Sequence, residues 1–393
     1  MATMNRRELL QLGGGAVLGA AFLAACGSDK KSESTTAPTT ATTAPSTTAS
    51  AATETTTAGS AAETTAATGA GSATSVAVAP ADLGTMSLRL SWIKNSEFAG
   101  AYLADTNGYY TAAGFSSVDL QAGGPSATAA EVDVSSGKAL VGISAPDIVA
   151  AAITAGAELT IIGAEYQKNP FCVMSLADKP IKTPEDMYGK KFGLQSANQV
   201  VWDAFVAATG IDDSKIEKFP AQFDPQPLVD GECDCWFSFV TNEPNLLKVA
   251  GHETVSFLLA DFGYPLVSEV YVVKKETVTE SPEVLKGFLK AQIQGWRDVQ
   301  ADPAKAAELT TTKYGADLGL DTAEQQLEVE TELTLVFTDE SIKNGILTVS
   351  DELIKENIDV LAKAGLTIKA EDLFDLSLLK EVYAENPDLI GEI

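Results

Sequence analysis

The sequence predicts an α/β protein of two lobes joined by a two-stranded hinge, with helices appended at the carboxyl end, and three observations carry that prediction. From Thr85, short apolar runs alternate with helix-length segments, and each run stops at a polar or glycine loop. From Lys182 the same alternation starts afresh, with its own row of strand-end loops. Two extended apolar runs, 171–175 and 267–273, lead out of the first unit and back towards it. Paired crossings between two α/β units make a hinge whose cleft can enclose a small molecule.

In the first unit, residues 86–92 read as a strand through the alternation of Leu88 and Leu90. The strand breaks at the polar loop 94–97, and an Ala/Gly/Tyr segment then packs as a helix through Tyr110. Ligands of open α/β sheets bind at the carboxyl ends of strands, where loop side chains and helix N–H groups meet. Trp92, Asn95, Glu97 and Phe98 stand at this first strand end. Residues 117–121 form the next strand, ending at Gly123-Gly124-Pro125, with Ser126 placed to cap a helix towards Ser136. The strand 139–144 delivers Ser144, and Ala145-Pro146-Asp147 opens a helix through Ala155. A buried strand, 159–164, leads to Tyr166, which with the residues up to Asn169 completes a rim.

In the second unit, Thr183-Pro184-Glu185-Asp186 is a helix start: a hydroxyl cap, proline at the first position, then acids favoured by the helix dipole. Strand 191–194 ends in a polar loop containing Gln195 and Asn198, and helix 199–209 carries Trp202. Strand 232–239 carries Trp236 and is followed by Thr241-Asn242-Glu243-Pro244 and a helix to Val249; 255–259 is a further strand. Beyond Ser281-Pro282-Glu283 the pattern is helical, with Val284, Leu285, Phe288, Leu289 and Trp296 near helical spacing. Asp302-Pro303, Asp321-Thr322-Ala323-Glu324 and Ser350-Asp351-Glu352 start further helices. Trp296 reads as core, and the acids on the other faces of these helices read as solvated surface.

Composition narrows the function. A formal net charge of -27, from 27 Lys+Arg against 54 Asp+Glu, argues against a basic patch for nucleic acid or an anionic membrane. With His252 the single histidine, His-based zinc sites and Ser-His-Asp triads are largely excluded, and neither metal nor cofactor is expected. Arg6, Arg7, Arg89 and Arg297 are the full arginine set, which disfavours a bidentate clamp on an anion. Cys233 and Cys235 lie two apart on a strand and face the same side, so a bond between them or a two-cysteine metal site is disfavoured. Cys172 could pair with one of them in an oxidising compartment; free buried thiols are the default.

Residues 1–26 form an export segment: Arg6 and Arg7 flank a run too short to span a bilayer. It closes in Leu23-Ala24-Ala25-Cys26-Gly27, which resembles a bacterial lipobox with Cys26 as the lipidated residue. Arg6-Arg7-Glu8-Leu9-Leu10 also resembles a twin-arginine signal, more weakly. Residues 27–84, dominated by Thr, Ser and Ala, lack the apolar surface to offset ordering entropy and read as a disordered tether. The expected organisation is then lobe one over 85–170, lobe two over 171–266, and a return to lobe one with carboxyl-terminal helices over 267–393.

The body from Thr85 to about Leu366 resembles the ABC-transporter substrate-binding proteins of the nitrate, sulfonate, taurine and thiamine-pyrimidine-precursor group. The resemblance rests on Trp92-x-x-Asn95-x-x-Phe98-Ala-Gly100, Gly108-Tyr-Tyr110, Gly114-Phe and Gly123-Gly124. It continues in Gly137-Lys-Ala-Leu-Val-Gly142-Ile, Thr183-Pro-Glu-Asp-Met-Tyr-Gly189-Lys, Asn242-Glu243-Pro244 and the segment from Phe288 to Trp296. It implies a type II periplasmic-binding-protein fold that closes on a solute and delivers it to a membrane permease. The opening motif and Asn242-Glu243-Pro244 look most like the pyrimidine-precursor and flavin branch, where aromatics stack on a planar heterocycle and a carboxylate accepts its N–H groups. Trp92, Tyr166, Trp202 and Trp236 are the candidate stacking rings and Glu243 the candidate acceptor.

The expectation is thus a non-enzymatic, monomeric receptor, exported and anchored through Cys26 to the outer face of the cytoplasmic membrane. Its ligand-binding residues would be Trp92, Asn95, Glu97, Phe98, Ser144, Asp147 and Tyr166 from lobe one, with Gln195, Asn198, Trp202, Trp236, Asn242 and Glu243 from lobe two. Its competitors are a receptor for a sulfonate, taurine or nitrate, and a pyrimidine-precursor synthase of the kind that consumes its own histidine. Glu232-Cys233-Asp234-Cys235-Trp236 stands where that synthase carries a cysteine-rich stretch.

Overall fold

The computed structural model describes residues 82–391 other than 125–126, 196–197 and 223. The export segment, Cys26, nearly all of the tether and the Pro125-Ser126 helix start lie outside the described residues.

Among the described residues, ten strands form two five-stranded sheets. The first has the order β2-β1-β3-β10-β4, built from β1 (Thr85–Arg89), β2 (Ser117–Gln121), β3 (Val141–Ser144), β4 (Leu159–Tyr166) and β10 (Ser268–Lys274). The second has the order β7-β6-β8-β5-β9, built from β5 (Phe171–Leu176), β6 (Lys191–Gln195), β7 (Glu217–Ala221), β8 (Cys235–Phe239) and β9 (Thr254–Leu258). In the first sheet β1 pairs parallel with β2 and β3, and β10 lies antiparallel between β3 and β4. The second sheet repeats this: β6 is parallel to β7 and β8, and β5 lies antiparallel between β8 and β9.

The extended runs expected to form the hinge are therefore β5 and β10, full members of the sheets. An exposed run of apolar backbone would leave its N–H and C=O groups unpaired, and insertion into a sheet satisfies them. The chain crosses between sheets in the short segments 167–170 and 259–267. One strand, β7, has no counterpart among the runs read from the sequence; Pro220 and two charged residues mask it.

The helices are α1 (Ala99–Thr106), α2 (Tyr109–Ala113), α3 (Ala130–Ser135), α4 (Pro146–Thr154), α5 (Gln199–Thr209), α6 (Gln226–Val229), α7 (Glu243–Val249) and α8 (Lys275–Glu280). The carboxyl-terminal set is α9 (Pro282–Ala301), α10 (Pro303–Leu309), α11 (Thr322–Val336), α12 (Asp339–Asn344), α13 (Asp351–Lys363), α14 (Ala370–Leu373) and α15 (Ser377–Glu385). The 183–186 start yields only a 3-10 turn, although Thr183 and Asp186 make both bonds of a capping box. Helix α9 buries Leu285, Phe288, Leu289 and Trp296, the face its spacing predicts. It packs closely on α1: a Cβ at Gly100 would strike the Trp296 ring, and one at Gly295 would strike the Gly100 carbonyl. That contact fixes the helix after β1 against the first sheet, and with it the loop between them.

Helix α11 departs from expectation. Glu324, Glu328 and Glu332, at one-turn spacing, are buried with Gln325. These acids were expected on solvated faces. Two residues of this face hold the loop after β1: Gln325 Oε1 accepts from Ser96 N (2.8 Å), and Asn95 Nδ2 donates to Glu328 Oε1 (2.6 Å).

Candidate functional site: an acid-lined cleft between the sheets

Parallel strands β1 and β3 end where antiparallel β10 begins, so the Ser91–Glu97 loop, Ser144 and Ser268-Glu269 share one sheet edge. The second sheet repeats the arrangement, since β8 ends and β5 begins at the paired residues Phe239 and Phe171. The two edges meet around a cleft with two compartments. One, of about 290 Å³, is lined by Trp92, Asn95 and Glu97 from the first β–α loop, by Glu269 and Glu328, and by Phe171, Asn198, Phe239, Thr241, Asn242 and Glu243 from the second lobe. The other, of about 320 Å³, is lined by the Gly123-Gly124 turn, 127–131, Ser144, Ala145 and Ser268. Ser91, Phe171, Phe239 and Glu269 belong to both.

Flat surface in the cleft comes from three side chains. Phe171 and Phe239 meet edge to face, with ring centroids 5.0 Å apart, and half-buried Trp92 lies on the other lobe. Such walls suit a planar ring. The polar lining is acidic: Glu97, Glu131, Glu243, Glu269 and Glu328 line the compartments, and no Lys, Arg or His does among the described residues. Arg89, at the end of β1, pairs with Asp133 of α3. Glu243 is oriented by its own loop, its Oε2 accepting from Phe239 N at 2.8 Å.

Glu97 and Glu269 meet in the wall of the smaller compartment. The Ser91 hydroxyl donates to Glu269 Oε2 at 2.7 Å and lies 3.4 Å from Glu97 Oε1. Glu269 is one of two non-glycine residues with positive φ (48°) among the described residues, a backbone state that folded chains keep mostly at functional positions. Burial pushes the Glu97 carboxyl well above the usual carboxylate range, and the neighbouring Glu269 charge adds to it. Burial, followed by the Glu165 charge, pushes Glu269 up to about 8. Behind them Glu165 is likewise pushed by burial to about 8; Tyr271 and Trp296 donate to its Oε1. Glu332, facing Tyr166, is raised by burial and then by Glu328.

Of the residues expected to bind ligand, the cleft brings together Trp92, Asn95, Glu97, Ser144, Asn198, Asn242 and Glu243. It does not include Phe98, Asp147, Tyr166, Gln195, Trp202 or Trp236. Phe98 and Tyr166 are fully buried in the core under the first sheet. Trp202 is buried among Phe192, Phe205 and Phe237, its Nε1 donating to Asp213 (2.7 Å), and Trp236 packs over Gly193. The Asp147 carboxylate accepts from the neighbouring Ile148 N (2.9 Å) within its own helix. The Gln195 amide donates to Phe237 O (3.0 Å). Gln167 and Lys168, expected on this rim, line a separate cavity with α11, α12 and α13. The sequence reading omitted Ser91, Phe171, Phe239, Thr241, Glu131, Glu269 and Glu328 as ligand-facing residues. Phe171 starts a run that follows a crossing and Glu269 stands near the start of another, which is a usable signal. Cys172, Cys233 and Cys235 are buried free thiols. No group of His, Cys, Asp and Glu able to hold a metal ion occurs among the described residues.

Two like-built α/β lobes closing on a cleft at their strand tips define the two-lobed periplasmic-binding-protein fold. Residues 95–306, more than half of the chain, match the family described as NMT1/THI5 like, and the chain belongs to that family. It is 26% identical over 246 residues to the formylaminopyrimidine-binding protein of Halalkalibacterium halodurans, covering 61% of this chain and 73% of that one. It is also 26% identical over 247 residues to the riboflavin-binding protein RibY of Chloroflexus aurantiacus, covering 61% and 70%. The fold matches the solved aliphatic sulphonate binding protein SsuA of Escherichia coli (TM-score 0.52, 14% identity, 75% of this chain and 91% of that one). It matches the desulfurization enzyme DszB similarly (TM-score 0.51, 13% identity, 77% and 99%). At these identities the structural likenesses are of fold alone.

Proposed function

We propose that the chain is a solute receptor of an ABC importer, enclosing a small planar nitrogen heterocycle between its lobes and delivering it to a permease. The observation that carries this reading is the lining of the cleft: flat aromatic walls on both lobes and acidic side chains, with no Lys, Arg or His among the described residues that line it. Such a lining favours a flat, N–H-rich solute and penalises an anion. The two curated relatives, named for a pyrimidine and a flavin, fall in that chemical class. A lone heterocycle fills one compartment, and a heterocycle with a hydroxylated tail needs the second, where Ser144, Thr128 and Ser268 offer hydroxyls.

A sulfonate or nitrate would find no Lys, Arg or His among the described residues that line the cleft, since Arg89 is committed to Asp133. As for a histidine-consuming synthase, His252 follows α7 and does not line the cleft. The lipobox-like sequence at Cys26 supports export and anchoring at the membrane surface. No helix of the described residues is long and apolar enough to cross a membrane. The proposed receptor acts as a monomer.

The test is a thermal-shift and calorimetric panel of formylaminopyrimidine, riboflavin, taurine, an alkanesulfonate and nitrate. A heterocycle should raise the melting temperature in a concentration-dependent way by mass action. Stabilisation by a sulfonate or nitrate, with none by either heterocycle, overturns the reading.

A further inference from the structure

The Glu97–Glu269 pair is unusual for a binding cleft because two carboxyls meet with no cation between them. The groups facing them come from every packed element. Ser91 lies on the same loop, Glu165 and Tyr166 on β4, Tyr271 on β10, Tyr102 on α1, Glu328 and Glu332 on α11, and Glu243 across the cleft on α7. All are acids, phenols or hydroxyls. The Ser91 hydroxyl reaches both carboxyls, at 2.7 Å from Glu269 Oε2 and 3.4 Å from Glu97 Oε1. Two buried carboxyls held so close, in a lining that carries no Lys, Arg or His among the described residues, favour keeping a proton on one of them. The short bond from Ser91 falls on Glu269 and the long one on Glu97, which assigns Glu269 as the acceptor and Glu97 as the acid. A second observation points to a missing partner at the same place: Asn95 lines the cavity at 3% exposure, and its Oδ1 has no hydrogen-bond partner.

We propose that Glu97 is a neutral carboxylic acid in the empty cleft and the donor that reads an acceptor atom of the solute, while Glu269 and Asn95 Oδ1 beside it receive the solute's N–H groups. This rests on the heterocycle reading above and deepens it. An acid beside an accepting carboxyl oxygen presents one donor and one acceptor. That is the complement of an edge in which a ring nitrogen or carbonyl stands next to N–H. The 4-aminopyrimidine edge and the imide edge of a flavin both have this form. On capture the shared proton turns from Glu269 onto the solute's acceptor, and the solute's N–H takes its place. No proton leaves the protein, and no charge is created in the cleft. A cationic solute would instead displace the proton, so the two modes differ in a measurable count.

The experiment uses the whole chain with formylaminopyrimidine and riboflavin as probes. Infrared spectra of the ligand-free protein near neutral pH should show a protonated-carboxyl band that diminishes in Glu97→Gln. Calorimetry in buffers of different ionisation enthalpy should find no net proton exchange on binding of the compound that binds. Glu97→Gln, which keeps a donor towards Glu269, should bind within about threefold of wild type; Glu97→Met, which has none, should lose about tenfold or more. Both variants are checked for a cooperative melt, and Glu97→Gln decides the outcome if Glu97→Met fails to fold. Release of about one proton on binding, an unchanged infrared band, or a large loss of affinity in Glu97→Gln each overturns the proposal. If neither compound binds the wild type, the heterocycle reading falls and the donor role falls with it. The infrared result then reports only the protonation of Glu97.

Discussion

Trp92 is the one tryptophan of the chain that faces the cleft, since Trp202, Trp236 and Trp296 are each fully buried elsewhere. An indole covered by a bound ring changes its emission, whereas a core indole keeps its surroundings. Solute capture should therefore change tryptophan fluorescence in the wild type and in Trp202→Phe, and leave it nearly unchanged in Trp92→Phe with binding followed by calorimetry. A full signal in Trp92→Phe would remove that ring from the binding wall. The contrast among the tryptophans also marks what the sequence could say at this scale. Trp92, Asn95 and Glu97 were legible because a strand that breaks into a polar loop places them at a sheet edge. Trp202 and Trp236 lie equally near strand ends in sequence, but which face of α5 or β8 turns inward depends on Phe192 and Gly193 of β6, with Phe205 beside Trp202 on α5. Gly193 leaves the hole that Trp236 fills, and nothing local in the chain reports that pairing.

At the scale of elements, strand and helix positions followed from periodicity: β2 and α5 fall on the residues read from the pattern, and β4 and β9 differ by a residue or two at an end. Helix α11 shows where periodicity stops being informative. Its acids at one-turn spacing look like a solvated stripe, yet they are the stripe that holds the binding loop. Gln325 takes Ser96 N and the Ser96 hydroxyl, and Glu328 takes Asn95, so this helix sets the position of residues within Trp92-x-x-Asn95-x-x-Phe98. Two substitutions on α11 separate its own stability from that role. Asp321 caps the helix through Ala323 N (2.9 Å) and Glu324 N (3.0 Å); Asp321→Ala should cost about 1 kcal/mol in urea unfolding and leave affinity unchanged. Gln325→Ala strands the buried Ser96 N–H and should cost about 1–3 kcal/mol, with a several-fold loss of affinity as well. Equal affinities for the two variants would show that α11 supports the fold without positioning the loop.

Over the whole molecule, the buried acids make stability depend on pH in a direction opposite to that of ordinary surface carboxylates. Glu165 and Glu269 titrate near 8 in the folded chain because burial penalises their charged forms, and they return to the ordinary carboxyl range on unfolding. Below that ordinary range both states hold the protons, so this contribution is complete and flat. Between it and about pH 8 the folded chain keeps protons that the unfolded chain has released. Stability should therefore fall by about 1.4 kcal/mol per pH unit for each group so held, and the contribution is lost as pH rises through about 8. Glu97 and Glu332, raised by the same cause, act in the same sense. Surface repulsion within a chain of net charge -27 also weakens the folded state, but its acids are already ionised across this window and salt screens it. Urea unfolding at about pH 5.5 and 7.5, each at low and at about 0.5 M salt, separates the two: the pH slope should survive salt, and the overall offset should shrink. A stability that is flat or rises across this window would mean that the cleft carboxyls are already charged in the folded chain. The lobes would then be held apart by their own lining until a solute neutralises it.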